Sequence, residues 1–85
     1  MSENDREHGP QPLDELMEQL GASNHDLVAA SPEQLTHKQV QRARKGRQLT
    51  ANMQKKVFRA FSAMARQKGL RDSYRQTDLF NYQAD

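Results

Sequence analysis

Residues 35–49 read LTHKQVQRARKGRQL, and the fold turns on how that stretch is parsed. Thr36 is a favoured helix N-cap, and Gln39 stands three residues after it, the spacing of a capping box. Gly46 is the residue type found most often just past a helix C-terminus. A short helix over 37–45 fits between these signals. Val40 and Ala43, three apart, share its inner face, while Lys38, Gln41, Arg42, Arg44 and Lys45 cover the rest. Cations meet phosphates, and Arg, Lys and Gln side chains bond base edges. A thin apolar stripe under a basic, amide-bearing surface therefore suits a helix that enters a major groove.

The helix before it is short. Ser23 or Asn24 caps it, Asp26 lies in its first turn, and Leu27, Val28 and Ala30 form its apolar side. Pro32 stops it, and Ser31 leaves the helical region because it precedes a proline. The expected span is 24–30. Between the two helices, Ser31-Pro32-Glu33-Gln34 allows a second parse. Ser31 as N-cap with Pro32 at the first position would start a helix that runs unbroken to Lys45. Two capping boxes compete, and we favour a start at His37 with Leu35 plugging the core just before it.

Further out, Leu13, Leu16, Met17 and Leu20 follow Pro12 at i, i+3, i+4, i+7, which predicts a first helix over 12–20 closed by Gly21. On the other side, Thr50 caps the strongest helical pattern in the chain. Met53, Val57, Ala60, Phe61 and Met64 recur on one face, with Phe58 widening the stripe and Lys55, Lys56 and Arg59 outside it. This helix is expected over 51–67, stopping at Gly69. Residues 1–11 are polar and end near Gly9-Pro10, so they are expected to be disordered. Residues 69–85 lack a sustained period and are expected to form a flexible tail. Tyr74, Leu79, Phe80 and Tyr82 are nevertheless more apolar bulk than a solvated tail needs. The predicted fold class is all-α: a compact four-helix domain over 12–68 between a disordered N-terminal segment and an irregular C-terminal tail.

Composition narrows the function. The 85 residues are 34% hydrophobic and 28% charged, lean for a globular protein. With no cysteine there is no disulfide and no thiolate metal site, which fits a reducing cytoplasm. No apolar run approaches the roughly 20 residues of a membrane span. The N-terminal MSENDREHGPQP lacks the apolar core of a signal peptide. His8, His25 and His37 share no partner, and no nucleophile stands at a meaningful spacing from a base. We therefore expect no catalysis, no cofactor, no metal and no membrane contact, and a cytoplasmic location. His25 beside Asp26 reads as a surface polar pair.

The net charge of +2 hides a segregation. Residues 1–33 carry Glu3, Asp5, Glu7, Asp14, Glu15, Glu18, Asp26 and Glu33 against Arg6 alone. Residues 34–71 carry Lys38, Arg42, Arg44, Lys45, Arg47, Lys55, Lys56, Arg59, Arg66, Lys68 and Arg71 with no acid. At ordinary composition roughly four or five acids would fall in such a stretch. Solvated faces usually mix both signs, so the pattern is the footprint of a polyanion binder.

Leu35-Thr36, then Val40, Ala43 and Lys45-Gly46-Arg47, resembles the recognition-helix signature of the phage-repressor-like (lambda-repressor-like) helix-turn-helix family. Leu49-Thr50 with Met53, Val57, Ala60 and Phe61 is similar to the family's next helix, and the resemblance spans about residues 12–62. SPEQL makes the turn before the third helix about two residues longer than is usual there. The resemblance implies sequence-specific binding of double-stranded DNA, commonly by a dimer on a two-fold site, and so a transcriptional regulator of repressor-like type. It implies a phosphate contact for Thr36 and places His37 and Lys38 in the turn that reaches base edges. Lys38 and Gln41 are expected on the base-reading side, with Arg42, Lys45 and Arg47 on the backbone and Arg44 turned away. Dimer contacts are expected from Phe58, Tyr74, Leu79, Phe80 and Tyr82. The alternatives are a protein-interaction adaptor that uses the tail as a docking motif, and an RNA-binding module on the same basic face. The scarcity of aromatics on that face argues against single-strand stacking.

Overall fold

The computed structural model describes residues 7–69 and 74–84. Five helices follow one another: α1 (Pro12–Gln19), α2 (Asn24–Ala30), α3 (His37–Lys45), α4 (Ala51–Gln67) and α5 (Gln76–Leu79). Local chemistry sets the starts. Ser23 and Asp26 close a reciprocal box, with Ser23 N donating to Asp26 Oδ2 (2.9 Å) and Asp26 N to Ser23 Oγ (3.2 Å). Thr36 and Gln39 do the same at the head of α3, at 3.0 and 3.1 Å. Thr50 Oγ1 accepts from Met53 N at the head of α4.

The competing start at Pro32 loses for a visible reason. Ser31 Oγ accepts from Glu33 N and donates to Glu33 O, so it closes its own small turn. The bond from Glu33 N reaches the second residue of a would-be helix, so the reciprocal box of Ser31 with Gln34 does not form. The chain then runs irregularly to Leu35, which is buried, and α3 begins at His37.

One core holds the helices. Leu13 and Met17 of α1, Leu27 and Ala30 of α2, Val40 and Ala43 of α3, and Val57, Ala60, Phe61 and Met64 of α4 meet in it. α4 packs most heavily on α2, and α1 lies against α3 and α5.

Two expectations about the ends of the chain need correction. The described part of the N-terminal segment, residues 7–11, is built into the fold, while residues 1–6 lie outside the described residues. His8 N donates to Gly46 O (2.8 Å) and Gln11 N to Arg44 O (3.0 Å), laying a short strap across the end of α3. Gln11 is only 2% exposed, and its amide is shared between Gly9 O and Asn81 N. Neither strap nor partner is near the other in sequence, so composition reads the segment as loose.

The described part of the C-terminal segment, residues 74–84, is likewise not an irregular tail, while residues 70–73 and 85 lie outside the described residues. It forms α5, and Leu79 (0% exposed) and Phe80 (4%) enter the core. The helix is a single turn headed by an Arg75 N bond to Asp78 Oδ2 (2.7 Å), too short to show a period.

The α2 cap carries a pH signature. The Ser23 backbone N–H donating to Asp26 holds that carboxyl below the usual aspartate range, outweighing desolvation. A carboxyl depressed in the folded state stabilises above its unfolded pKa and stops doing so as pH falls through the folded one. Between about pH 5 and pH 3 the parent's Tm is therefore expected to fall further than that of Asp26→Asn. Parallel melts across that window check this.

Candidate nucleic-acid interface

An α-helix turns once in 3.6 residues, so positions four and seven apart return to one face. Val40 and Ala43 point into the core with no exposure. Opposite them, Lys38, Arg42 and Lys45 lie at i, i+4 and i+7, all exposed. These three cations form the outward ridge of α3, and α3 carries no acid. The sequence groups Lys38 with Gln41 for base edges and Arg42 with Lys45 for the backbone; all four side chains are exposed. Gln41 sits on the flank beside α2.

That flank is braced. Asn24 Nδ2 donates to Gln41 Oε1 (2.9 Å). Arg44 Nη1 donates to Asn24 Oδ1 (2.8 Å), and Arg44 Nε pairs with Asp14 Oδ1 (2.6 Å). The chain Gln41–Asn24–Arg44–Asp14 thus ties α3 to α2 and α1, from the exposed Gln41 to the half-buried Asn24, Arg44 and Asp14. Arg44 is a structural arginine turned from the ridge. Its pairing also neutralises Asp14, an acid otherwise close to the basic face.

The remaining site residues cluster at the two ends of α3. Thr36 is exposed, and its hydroxyl oxygen already accepts the cap bond. His37, in the first turn, lies against His25 from the first turn of α2, with ring centroids 5.8 Å apart and planes 17° from parallel. Both imidazoles are exposed. The contact brings the N-terminal ends of α2 and α3 together, where the partial positive charge of each helix favours an anion. Sequence reading paired His25 with Asp26 and did not see this. The missed signal is that both histidines sit in the first turn of capped, adjacent helices.

Arg47 follows the helix. Its guanidinium lies 3.4 Å from the Glu7 carboxylate, and its carbonyl accepts from Tyr82 Oη (2.9 Å).

Elsewhere, Arg59 pairs with Glu33 (2.5 Å) in the turn before α3. That contact holds the Glu33 carboxyl below its usual range through the hydrogen bond from Arg59. Arg59 is therefore committed to the fold rather than to an open cationic track.

The expected dimer contacts are mostly internal. Leu79 and Phe80 are buried, Tyr74 meets Phe61 edge-on at 5.0 Å, and Tyr82 stacks on His8 at 4.0 Å. Phe58, half-buried like Tyr74 and Tyr82, lies on an outer face of α4. Among the described residues, no group of three or more His, Asp or Glu side chains is placed to hold a metal ion. No described helix is long and apolar enough to cross a membrane. A scan against family models finds no match for the chain, and searches of curated proteins and of solved structures find none either.

Proposed function

We propose that the protein binds double-stranded DNA as a helix-turn-helix regulator, with α3 in the major groove and α2 bracing it across the backbone. The observation that carries this reading is the exposed Lys38–Arg42–Lys45 ridge on a short helix whose other face is buried and whose flank is fastened to α2. In that pose Lys38 and Arg42 address base edges or phosphates, and an Arg on guanine is bidentate. Gln41, pre-set by Asn24, offers its amide N–H to an adenine or a phosphate. His25 and His37 mark the end where a phosphate meets the N-terminus of α3, that of α2 already holding the Asp26 carboxylate. Lys45 and Arg47 extend the phosphate contacts.

The test is a fluorescence titration against a selected duplex at two salt concentrations. Each base or phosphate contact of this kind contributes at least about 1 kcal/mol, so Lys38→Ala combined with Arg42→Ala should weaken binding roughly 30-fold or more. If either residue serves a phosphate, the dependence of log K on log salt should also flatten by about 0.9 for each contact removed. A double variant that melts like the parent and binds as tightly at both salts would rule the reading out. Single-stranded RNA binding with equal or better affinity would point to the RNA alternative instead.

A further inference from the structure

Away from α3, the outer face of α4 holds a second feature. Lys55, Arg59, Ser62 and Arg66 recur at i, i+4, i+7 and i+11 and so line one face of the helix. Phe58 and Ala63, both half-buried, border that face on its two sides. Pro32, from the turn after α2, closes a shallow groove with Phe58, Arg59, Ser62, Ala63 and Arg66. The groove thus has apolar borders, Phe58 on one side and Ala63 on the other, with Arg59, Ser62 and Arg66 between them and Lys55 a turn further along. Arg59 is paired with Glu33, and Lys55 and Arg66 are exposed. α4 contains no acidic residue; Glu33 pairs with Arg59 and also interacts with Lys56, and among the described residues no acid pairs with Lys55 or Arg66.

We propose that this groove takes an acidic amphipathic helix from a partner protein, seating an apolar edge against Phe58 and its carboxylates against Lys55 and Arg66. Two arguments select that occupant. A phosphate backbone meets the cations equally well but has no apolar edge to cover a half-buried phenyl ring, whereas helix-in-groove docking supplies an apolar edge at i, i+3, i+4 with charged borders. A second copy of this chain fits poorly. Apposing α4 with α4 sets Lys55, Arg59 and Arg66 against themselves. The acidic helix α1 packs on α3 and α5, so part of its surface is already taken up within its own chain. The inference rests on α4 and does not depend on DNA binding by α3.

The experiment is a selection of random 16-residue peptides displayed against the folded full chain, followed by anisotropy titration of the enriched sequence. The expected result is a consensus with Leu, Ile, Met or Phe at i, i+3 or i+4 and i+7 flanked by Asp and Glu. Its affinity should drop at least tenfold on Phe58→Ala and on Arg66→Glu, and stay unchanged on Lys38→Ala with Arg42→Ala. Arg66 is exposed, so Arg66→Glu reports on the surface even where Phe58→Ala loosens the fold. Enrichment of peptides without acids or without helical spacing overturns the proposal, as does failure to enrich any sequence. So does an enriched peptide insensitive to Phe58→Ala and Arg66→Glu, or displacement of the peptide by a duplex oligonucleotide that ignores the α3 variant.

Discussion

Truncation after Arg75 should leave a chain without a cooperative thermal transition above room temperature. The segment removed contains Leu79 and Phe80, which are 0% and 4% exposed and belong to the central core. Deleting one large buried side chain typically costs about 2–5 kcal/mol, so losing two removes roughly 4–10. A domain of this size has about 5–15 kcal/mol in all. Polar ties go as well. Asn81 N no longer caps Gln11 Oε1 (2.8 Å), and Gln76 Nε2 no longer donates to Gln54 Oε1 (2.9 Å). Gln54 is 4% exposed and its Nε2 already lacks a partner, so the truncation strands a buried amide completely unless water enters. Far-UV circular dichroism against temperature is the measurement. Leu79→Ala alone should lower Tm by about 10 °C or more. A truncated chain melting within a few degrees of the parent would mean that the segment rides on the fold without supporting it. This bears on the adaptor alternative: removing the last dozen residues to test for a docking motif would destroy the domain rather than expose one function.

Gly46→Ala is expected to lower stability by about 2–5 kcal/mol, far beyond a usual glycine-to-alanine change. Two causes add. Gly46 has φ 90°, a left-handed conformation that an L side chain resists. A Cβ there would also lie 1.8 Å from the Gly9 carbonyl oxygen, a backbone atom that cannot rotate aside. The strap through His8 and Gly9 would have to lift, and the His8 N bond to Gly46 O (2.8 Å) would break. Gly21→Ala is the internal control. Its φ is 65°, but nothing lies within 4 Å of the added Cβ, so only conformational strain of about 1–2 kcal/mol is expected. Denaturant midpoints of the two variants separate strain from collision. Equal losses would show that the strap yields without penalty.

What the sequence reveals about this fold is what is encoded over a few residues. Ser23 with Asp26, Thr36 with Gln39, and Thr50 announce three helix starts, and the 3.6-residue recurrence of Met53, Val57, Ala60, Phe61 and Met64 announces α4. The choice between Pro32 and His37 is less legible, because both boxes are locally sound. What decides it is Ser31 bending onto Glu33 and Leu35 finding the core. The strap and α5 are illegible for a different reason. Gln11 looks like a surface residue until Asn81, seventy positions away, supplies its second partner. At the candidate site, the ridge of Lys38, Arg42 and Lys45 follows from helical geometry alone. The withdrawal of Gln41 and Arg44 toward Asn24, and the meeting of His25 with His37, depend on how α2 lies against α3, which no local pattern contains.

The seam between the strap and the α5 segment also bears on synthesis. Gln11 finds Asn81, and His8 finds Tyr82, only after nearly the whole described chain has been made. The residues of α1 to α4 are all made first, but the brace under the α3–α4 loop waits for residues 81 and 82. Contacts between such distant positions slow closure relative to a bundle joined by neighbours. A nascent chain halted before Leu79 should therefore be protease-sensitive through α1 to α4, and resistance should arrive in one step once residues 79–82 are made.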